Sequence, residues 1–393
     1  MMTLQQRMGE FFSGPGGLAL GASKAAEKFN QEIAPQQPGA LPVKVTHQWA
    51  VDIDADSCET YRRNVLPHTP EAVHNMDARE AANKIASFHD IDGFAFGFPC
   101  NDFSLVGKQR GLEGAFGPLY QTGLAVLRSK QPQWFVAENV GGIRSANGGN
   151  AFLQILADLE ASGYNITPHL YKFEEYGVPQ TRHRVILAGI HKDLELEFKV
   201  PAPTHGPGLK PFVTAGEALG RPYPDGLVVT HTEQTRQSRQ VIERLKLIDP
   251  GENAFNAKRM TDEFRLNVKG AHLSQIYKRL EKDKPSYTIT GSGGGGTHAY
   301  HWEEHRALTN RERARIQTFP DEFTFVGSKE SVRRQIGMAV PVEGATVIFK
   351  ALIQTIQKIE YHGVKANLLD TLEASRSLSP TFGSAKETRH TLL

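Results

Sequence analysis

The sequence predicts an α/β protein in which a doubly wound, mostly parallel sheet is joined to a smaller, loop-rich domain. Three observations lead there. Short apolar runs alternate with helical stretches over the first 190 residues, the pattern of strands linked by crossover helices. After Lys192 the composition turns rich in proline and glycine and loses its periodicity. Helical order then resumes at Thr309.

The expected strands are 43–51, 93–98, 134–140, 169–173 and 184–190, each an apolar run bounded by turn residues. The segment 1–12 before the first glycine-rich turn is only weakly apolar. Residues 32–42 are proline-rich and polar, so they read as an exposed insertion. A helix over 151–162 places Phe152, Ile155, Leu156 and Leu159 on one face. Residues 195–305 form the separate domain, which contains the run Gly291–His298. Thr309 and Glu312 stand at capping-box spacing and open the next helix. A last helix starts near Pro341, a residue suited to a first helical turn. Its positions Val347, Ile348, Leu352, Ile353, Ile356 and Ile359 are expected to pack on the body. The tail 362–393 is polar and is expected to fray. The resulting domains are 1–192, completed by 330–361, then 195–305, with 306–329 as a return segment.

The chain has 393 residues, 39% of them hydrophobic, and a net charge of +2, which is ordinary for a globular protein. The charge is unevenly spread. Residues 199–302 hold 15 Lys and Arg against 10 Asp and Glu, a weak pointer to a polyanion. No apolar run approaches the roughly 18–20 residues of a membrane span. The start MMTLQQRMGEFF lacks a signal-peptide core. Two cysteines, Cys58 and Cys100, make neither a disulfide scaffold nor a CxxC metal site, so a cytoplasmic setting is expected.

Several positions carry chemistry. Gly14-Pro15-Gly16-Gly17 leads into a helix, either as a plain tight loop or as bare backbone for a ligand at a helix N-terminus. Asp52 ends a strand, where a carboxylate commonly takes the ribose hydroxyls of a nucleoside-like cofactor. Asp77 is either a helix N-cap or an acceptor for an adenine amino group. Cys100, after the strand 93–98, is a lone thiol: inert and buried, or a nucleophile at the ligand-bearing end of the sheet. Glu138 closes the strand 134–140 and could share a proton. Arg182 and Arg184 lie on one face if their segment is extended, and suit a planar polar group, a phosphate or a solvated edge.

Taken in order, Gly14-Pro15-Gly16-Gly17, Pro99-Cys100 with Phe103-Ser104, Glu138-Asn139-Val140, and Gln180, Arg182 and Arg184 resemble the motifs of the DNA cytosine-5 methyltransferase family, of bacterial restriction–modification type. Arg306–Thr309, Arg311-Glu312, Gln317, Phe319-Pro320 and Gln335–Pro341 resemble its last two blocks, so the likeness covers 9–190 and 286–360.

The resemblance implies a Rossmann-like, S-adenosylmethionine-dependent fold. It implies that Phe12, Gly14, Gly16, Gly17, Asp52 and Asp77 hold S-adenosylmethionine. It implies that Cys100 attacks C6 of a flipped cytosine, that Glu138 engages N3, that Arg182 contacts the base carbonyl, and that Arg184 supports the cysteine's neighbourhood or a phosphate. Residues 195–305 would read double-stranded DNA, with Arg236, Arg239, Arg259, Arg265 and Ser292–Thr297 as candidate contacts. A monomer with a restriction endonuclease as genetic partner fits the family's habit. Asn101, Asp102, Met338 and Val342 depart from its usual residues. A tRNA cytosine methyltransferase of the same fold, an inactive DNA-binding relative and a nicotinamide oxidoreductase are the rival readings. The lack of GxGxxG counts against the last.

Overall fold

A computed structural model describes residues 2–98, 119–266, 273–291 and 295–381. Its contacts divide the chain into two compact units. The first comprises 1–172, 183–202 and 345–393, and the second 173–182 and 203–344.

The first unit is built on seven strands. In chain order come β1 (Leu4–Phe11), α1 (Gly17–Glu32), β2 (Val43–Asp52), α2 (Ala55–Asn64), β3 (Val73–Asn75), α3 (Ala78–Asn83), β4 (Gly93–Phe96), α4 (Tyr120–Lys130), β5 (Trp134–Val140), α5 (Asn150–Ala161) and β6 (Tyr164–Lys172). The short β7 (Gln180–Thr181) belongs to the second unit, and β8 (His183–His191) returns to the sheet. The sheet order is β3-β2-β1-β4-β5-β8-β6, parallel except that β8 runs antiparallel to both neighbours. Strand order reverses direction between β1 and β4. In open α/β sheets the crevice outside the carboxyl ends at such a point is where ligands bind.

Two apolar layers hold the sheet. Phe11, Trp49, Phe94, Phe96, Phe135 and Val185 meet Leu124, Phe152 and Leu156 on one face. Ala50 and Val73 meet Ala19, Cys58 and Tyr61 on the other. Each fully buried side chain of this size contributes about 1.5–3 kcal/mol. β1 is a full strand despite its polar sequence, because its polar side chains find partners inside. Trp134 Nε1 donates to Gln6 Oε1 at 2.7 Å, and Tyr61 Oη donates to Glu10 Oε2 at 3.1 Å.

The second unit contains little regular structure. It has α6 (Ala215–Gly220), α7 (Arg239–Lys246), β10 (Ser286–Tyr287) paired with β7, α8 (Asn310–Ile316) and α9 (Lys329–Met338). The short β9 (Val200–Pro201) precedes it and stays with the first unit. The capping box of Thr309 and Glu312 opens α8 as expected. Residues 306–344, expected as a return segment and as part of the sheet domain, instead pack with 203–305. The reason is polar: Arg311, fully buried, donates to the carbonyls of Thr230, Pro320 and Phe323. The chain rejoins the first unit only from Ala345, along α10 (Val342–Ile356). Among the described residues, Lys329–Ile356 is the one stretch apolar and long enough to cross a membrane, and 78% of its apolar window is buried.

The tail does not fray before residue 381. β11 (Gly363–Val364) pairs with β9, and α11 (Leu369–Ser375) follows. Leu368 and Leu372 join the sheet's apolar core. Asn367 donates to and accepts from the backbone of Leu170, which covers an edge strand that would otherwise expose unpaired groups.

Candidate active site

The carboxyl ends of β1, β2 and β3 build one half of the site. After β1 the chain turns sharply: Phe12 has φ 54, Gly14 φ 53 and Gly16 φ 98. Glycine takes such values freely, whereas Phe12 holds a left-handed conformation at a cost of about 1–3 kcal/mol, a strain that gathers at functional sites. Gly16 also has no room for a side chain, since a Cβ there would lie 2.9 Å from Val65. Gly17 then begins α1, so the positive end of its dipole faces the turn.

Asp52 ties the turn to the sheet. Its Oδ2 accepts from the Gly14 N–H at 2.7 Å and its Oδ1 from the Asp54 N–H at 2.9 Å. Burial pushes this carboxyl above its usual range, against the pull of those two N–H groups. Each oxygen keeps a second lone pair, so hydroxyl donors can still be accepted. Asp77 caps α3 by accepting from the Arg79 N–H, and its hydrogen bond with the Arg79 side chain lowers its pKa. It also lines a cleft with Phe12, Asp52, Ile53, Met76 and Leu119. Ile53 went unnoticed in the sequence. The signal was there, since a large apolar residue directly follows the strand-end acid, and it is 71% exposed.

The other half lies at the ends of β4, β5 and β8. Arg184 Nε meets Glu138 Oε1 at 2.8 Å, with both side chains only 12–14% exposed. Gly97 leaves room beside the carboxylate, because a Cβ there would lie 3.3 Å from Glu138 Oε2. Asn139, to which the motif Glu138-Asn139-Val140 gave no role of its own, is buried and donates from Nδ2 to the Phe98 carbonyl at 3.0 Å. Cys100, with Asn101 and Asp102, lies outside the described residues. Cys58 is inert: it is buried in the α2 layer, and desolvation pushes its thiol up to about 11.

Arg182 belongs to the second unit. The Arg182 N–H donates to the Gln180 carbonyl at 2.9 Å, a three-residue turn that breaks the extended segment on which a shared face depended. Its side chain, 1% exposed, donates to the carbonyls of Ile289, Gly337 and Ala339 within the second unit. Gln180 and Gln317 hydrogen-bond beside it at 2.8 Å. Of the departures, Met338 is 69% exposed and Val342 fully buried. Among the candidate DNA contacts, Arg236, Arg239, Arg259 and Arg265 are all exposed; Arg259 pairs with Asp249 at 2.7 Å and Arg265 with Asp262 at 3.3 Å. Of Ser292–Thr297, only 295–297 lie within the described residues.

The sequence model for C-5 cytosine-specific DNA methylase matches residues 6–354. The chain is 52% identical over 365 residues to the Type II methyltransferase M.BbvI of Brevibacillus brevis, covering 92% of this chain and 94% of that one. It is 39% identical to the Type II methyltransferase M.NgoFVII of Neisseria gonorrhoeae, covering 89% and 88%. Among solved structures it is similar in fold to the methyltransferase EhMeth of Entamoeba histolytica, with a TM-score of 0.57 at 15% identity, covering 90% and 98%.

Proposed function

The chain belongs to the C-5 cytosine-specific DNA methylase family, and from that premise we propose how its own residues carry the reaction. It is a DNA cytosine-5 methyltransferase that takes its methyl group from S-adenosylmethionine. The observation that carries the residue assignment is the Glu138–Arg184 ion pair at the ends of β5 and β8, in the same layer of strand ends as the cleft.

Cytosine C5 is a weak nucleophile until addition at C6 breaks the ring's aromaticity, so covalent catalysis divides one hard step into two. A stacked base cannot present C6 to a thiol, and turning it out costs a few kcal/mol. We assign the thiolate to Cys100, whose sulfur bonds to C6 while the C5–C6 π electrons move toward C5 and N3. Glu138 engages N3 as charge develops there. Arg184, rather than Arg182, faces the base carbonyl, because it is the arginine paired with Glu138. S-adenosylmethionine, when bound, supplies an electrophilic methyl group. C5 would take it as the sulfonium becomes a neutral thioether; a water would then accept the C5 proton, and the electron pair left behind would re-form the C5–C6 double bond and expel the Cys100 thiolate. Phe12, Gly14, Gly16, Gly17, Asp52, Asp77 and Ile53 form the cofactor cleft, with backbone and carboxylate toward polar groups and Ile53 as an apolar wall.

The loop-rich segment 203–305 is assigned to target reading, with Arg236, Arg239 and Arg265 exposed to meet phosphates. The enzyme is placed in the cytoplasm as a monomer, with a restriction endonuclease as its genetic partner. The relatives' Type II methyltransferase names support the restriction–modification setting.

The test is direct. Purified protein methylates a plasmid of known sequence, and 5-methylcytosine is mapped at base resolution. DNA bearing 5-fluorocytosine at the mapped site then traps the adduct, since no proton remains at C5 to remove. Cys100→Ala abolishes both signals and Cys58→Ala neither. A trapped adduct on Cys58 would overturn the assignment.

A further inference from the structure

Asp158 sits on the buried face of α5 at 0% exposure, amid the apolar side chains of the core. Burying a carboxylate is expensive unless every lone pair is met, and apolar replacements of similar volume are often at least as stable. Here four donors meet it. Tyr120 Oη and Thr381 Oγ1 each donate to Oδ2 at 2.7 Å. The Thr381 N–H donates to Oδ1 at 2.7 Å and Gln154 Nε2 at 3.1 Å.

The origin of these donors gives the network its meaning. Tyr120 opens α4, one residue past Leu119, where the description resumes after the segment 99–118. Its ring lies 6.4 Å from that of Phe98, the residue that leads into the same segment. Phe98 is itself fixed through its carbonyl by Asn139. Cys100 follows Phe98 by two positions in the sequence. Thr381 arrives from the far end of the chain on a strap. That strap is held by Leu368 and Leu372 in the core and by Arg376 Nη2 against Glu160 Oε1 at 2.8 Å.

We propose that Asp158 is a positioning residue for the cysteine-bearing segment, and that the C-terminal strap completes it through Thr381. The carboxylate holds Tyr120, Tyr120 packs on Phe98, and the two exits of the segment are thereby fixed side by side. The inference rests on the reading of Cys100 as nucleophile.

The test uses full-length Tyr120→Phe, Thr381→Ala, Thr381→Ser and Asp158→Asn proteins. Three quantities are read: the single-turnover rate of adduct formation on 5-fluorocytosine DNA, S-adenosylmethionine affinity by calorimetry, and melting temperature. Losing one donor to a charged acceptor is expected to slow adduct formation about tenfold in Tyr120→Phe and Thr381→Ala. Thr381→Ser restores the rate, and cofactor affinity is unchanged in each. Tyr120→Phe with Thr381→Ala is no slower than Tyr120→Phe alone, because both act through one carboxylate. Wild-type adduct rates in both single variants overturn the proposal. So does a loss that serine does not rescue and that follows melting temperature. Should Asp158→Asn fail to fold, the threonine pair still decides. An adduct in Cys100→Ala sinks the nucleophile reading instead, so the two failures are distinct.

Discussion

Arg182 and Arg184 stand two positions apart in the chain, yet the structure uses them in opposite ways. Arg182 is 1% exposed and spends its donors on backbone carbonyls, a job of holding loops together. Arg184 is 14% exposed and faces a carboxylate at a strand end. The two share a side chain and differ in what their donors meet. A buried guanidinium whose terminal nitrogens are given to carbonyls is held in place, whereas one paired with a partly exposed carboxylate can exchange partners.

That contrast can be broken by mutation. Glu138→Gln keeps the shape but removes the charge, and methyl transfer should fall by about 10²–10⁴-fold, with melting temperature little changed. Arg184→Ala should follow with a loss of about 10²-fold. Arg182→Ala should do the reverse: buried carbonyls lose their donors, and denaturant titration should record a loss of about 3–5 kcal/mol. An Arg182 variant that folds normally but cannot turn over would exchange the two assignments.

Smaller effects sharpen the picture at the cofactor half. Asp52→Asn should weaken S-adenosylmethionine binding about tenfold, since a charged acceptor contributes about 1.5–3 kcal/mol. Asp77→Ala should change it less, because its capping bond belongs to α3; equal losses in calorimetry would show that the two acids share the work. Glu10 gives the mildest effect, read in pH. Burial, helped by the Asp52 charge and opposed by the Tyr61 hydroxyl, raises its carboxyl from 4.5 to about 8. An unfolded chain releases that proton near 4.5 while the folded chain retains it, so this residue lowers stability progressively as pH rises from about 4.5 to 8. Glu10→Gln should flatten the stability profile across that window, and an unchanged slope would exclude the effect.

What the sequence disclosed follows the same division. Fully apolar strands such as 134–140 and 184–190 were legible, because continuous apolar runs have few other fates. β1 was harder to see, since Gln6 and Glu10 look solvated until Trp134 and Tyr61 supply partners from distant positions. β6 begins at Tyr164, earlier than expected, because Pro168 reads as a breaker; it is tolerated on an edge strand, where its missing N–H takes no partner from the ladder. The tail looked polar, but Leu368 and Leu372 lie one helical turn apart and bury together. Motif order singles out Glu138 and both arginines as candidates, while the turn at Arg182 that separates their surroundings depends on a single backbone hydrogen bond.

The depth of Cys58 has a practical side. With its thiol shielded and pushed up to about 11, a neutral solution leaves it almost wholly protonated and out of reach. The chain has only one other cysteine. A thiol-reactive dye added to the folded, unmodified protein should therefore leave Cys58 unlabelled, and labelling there should appear only on unfolding.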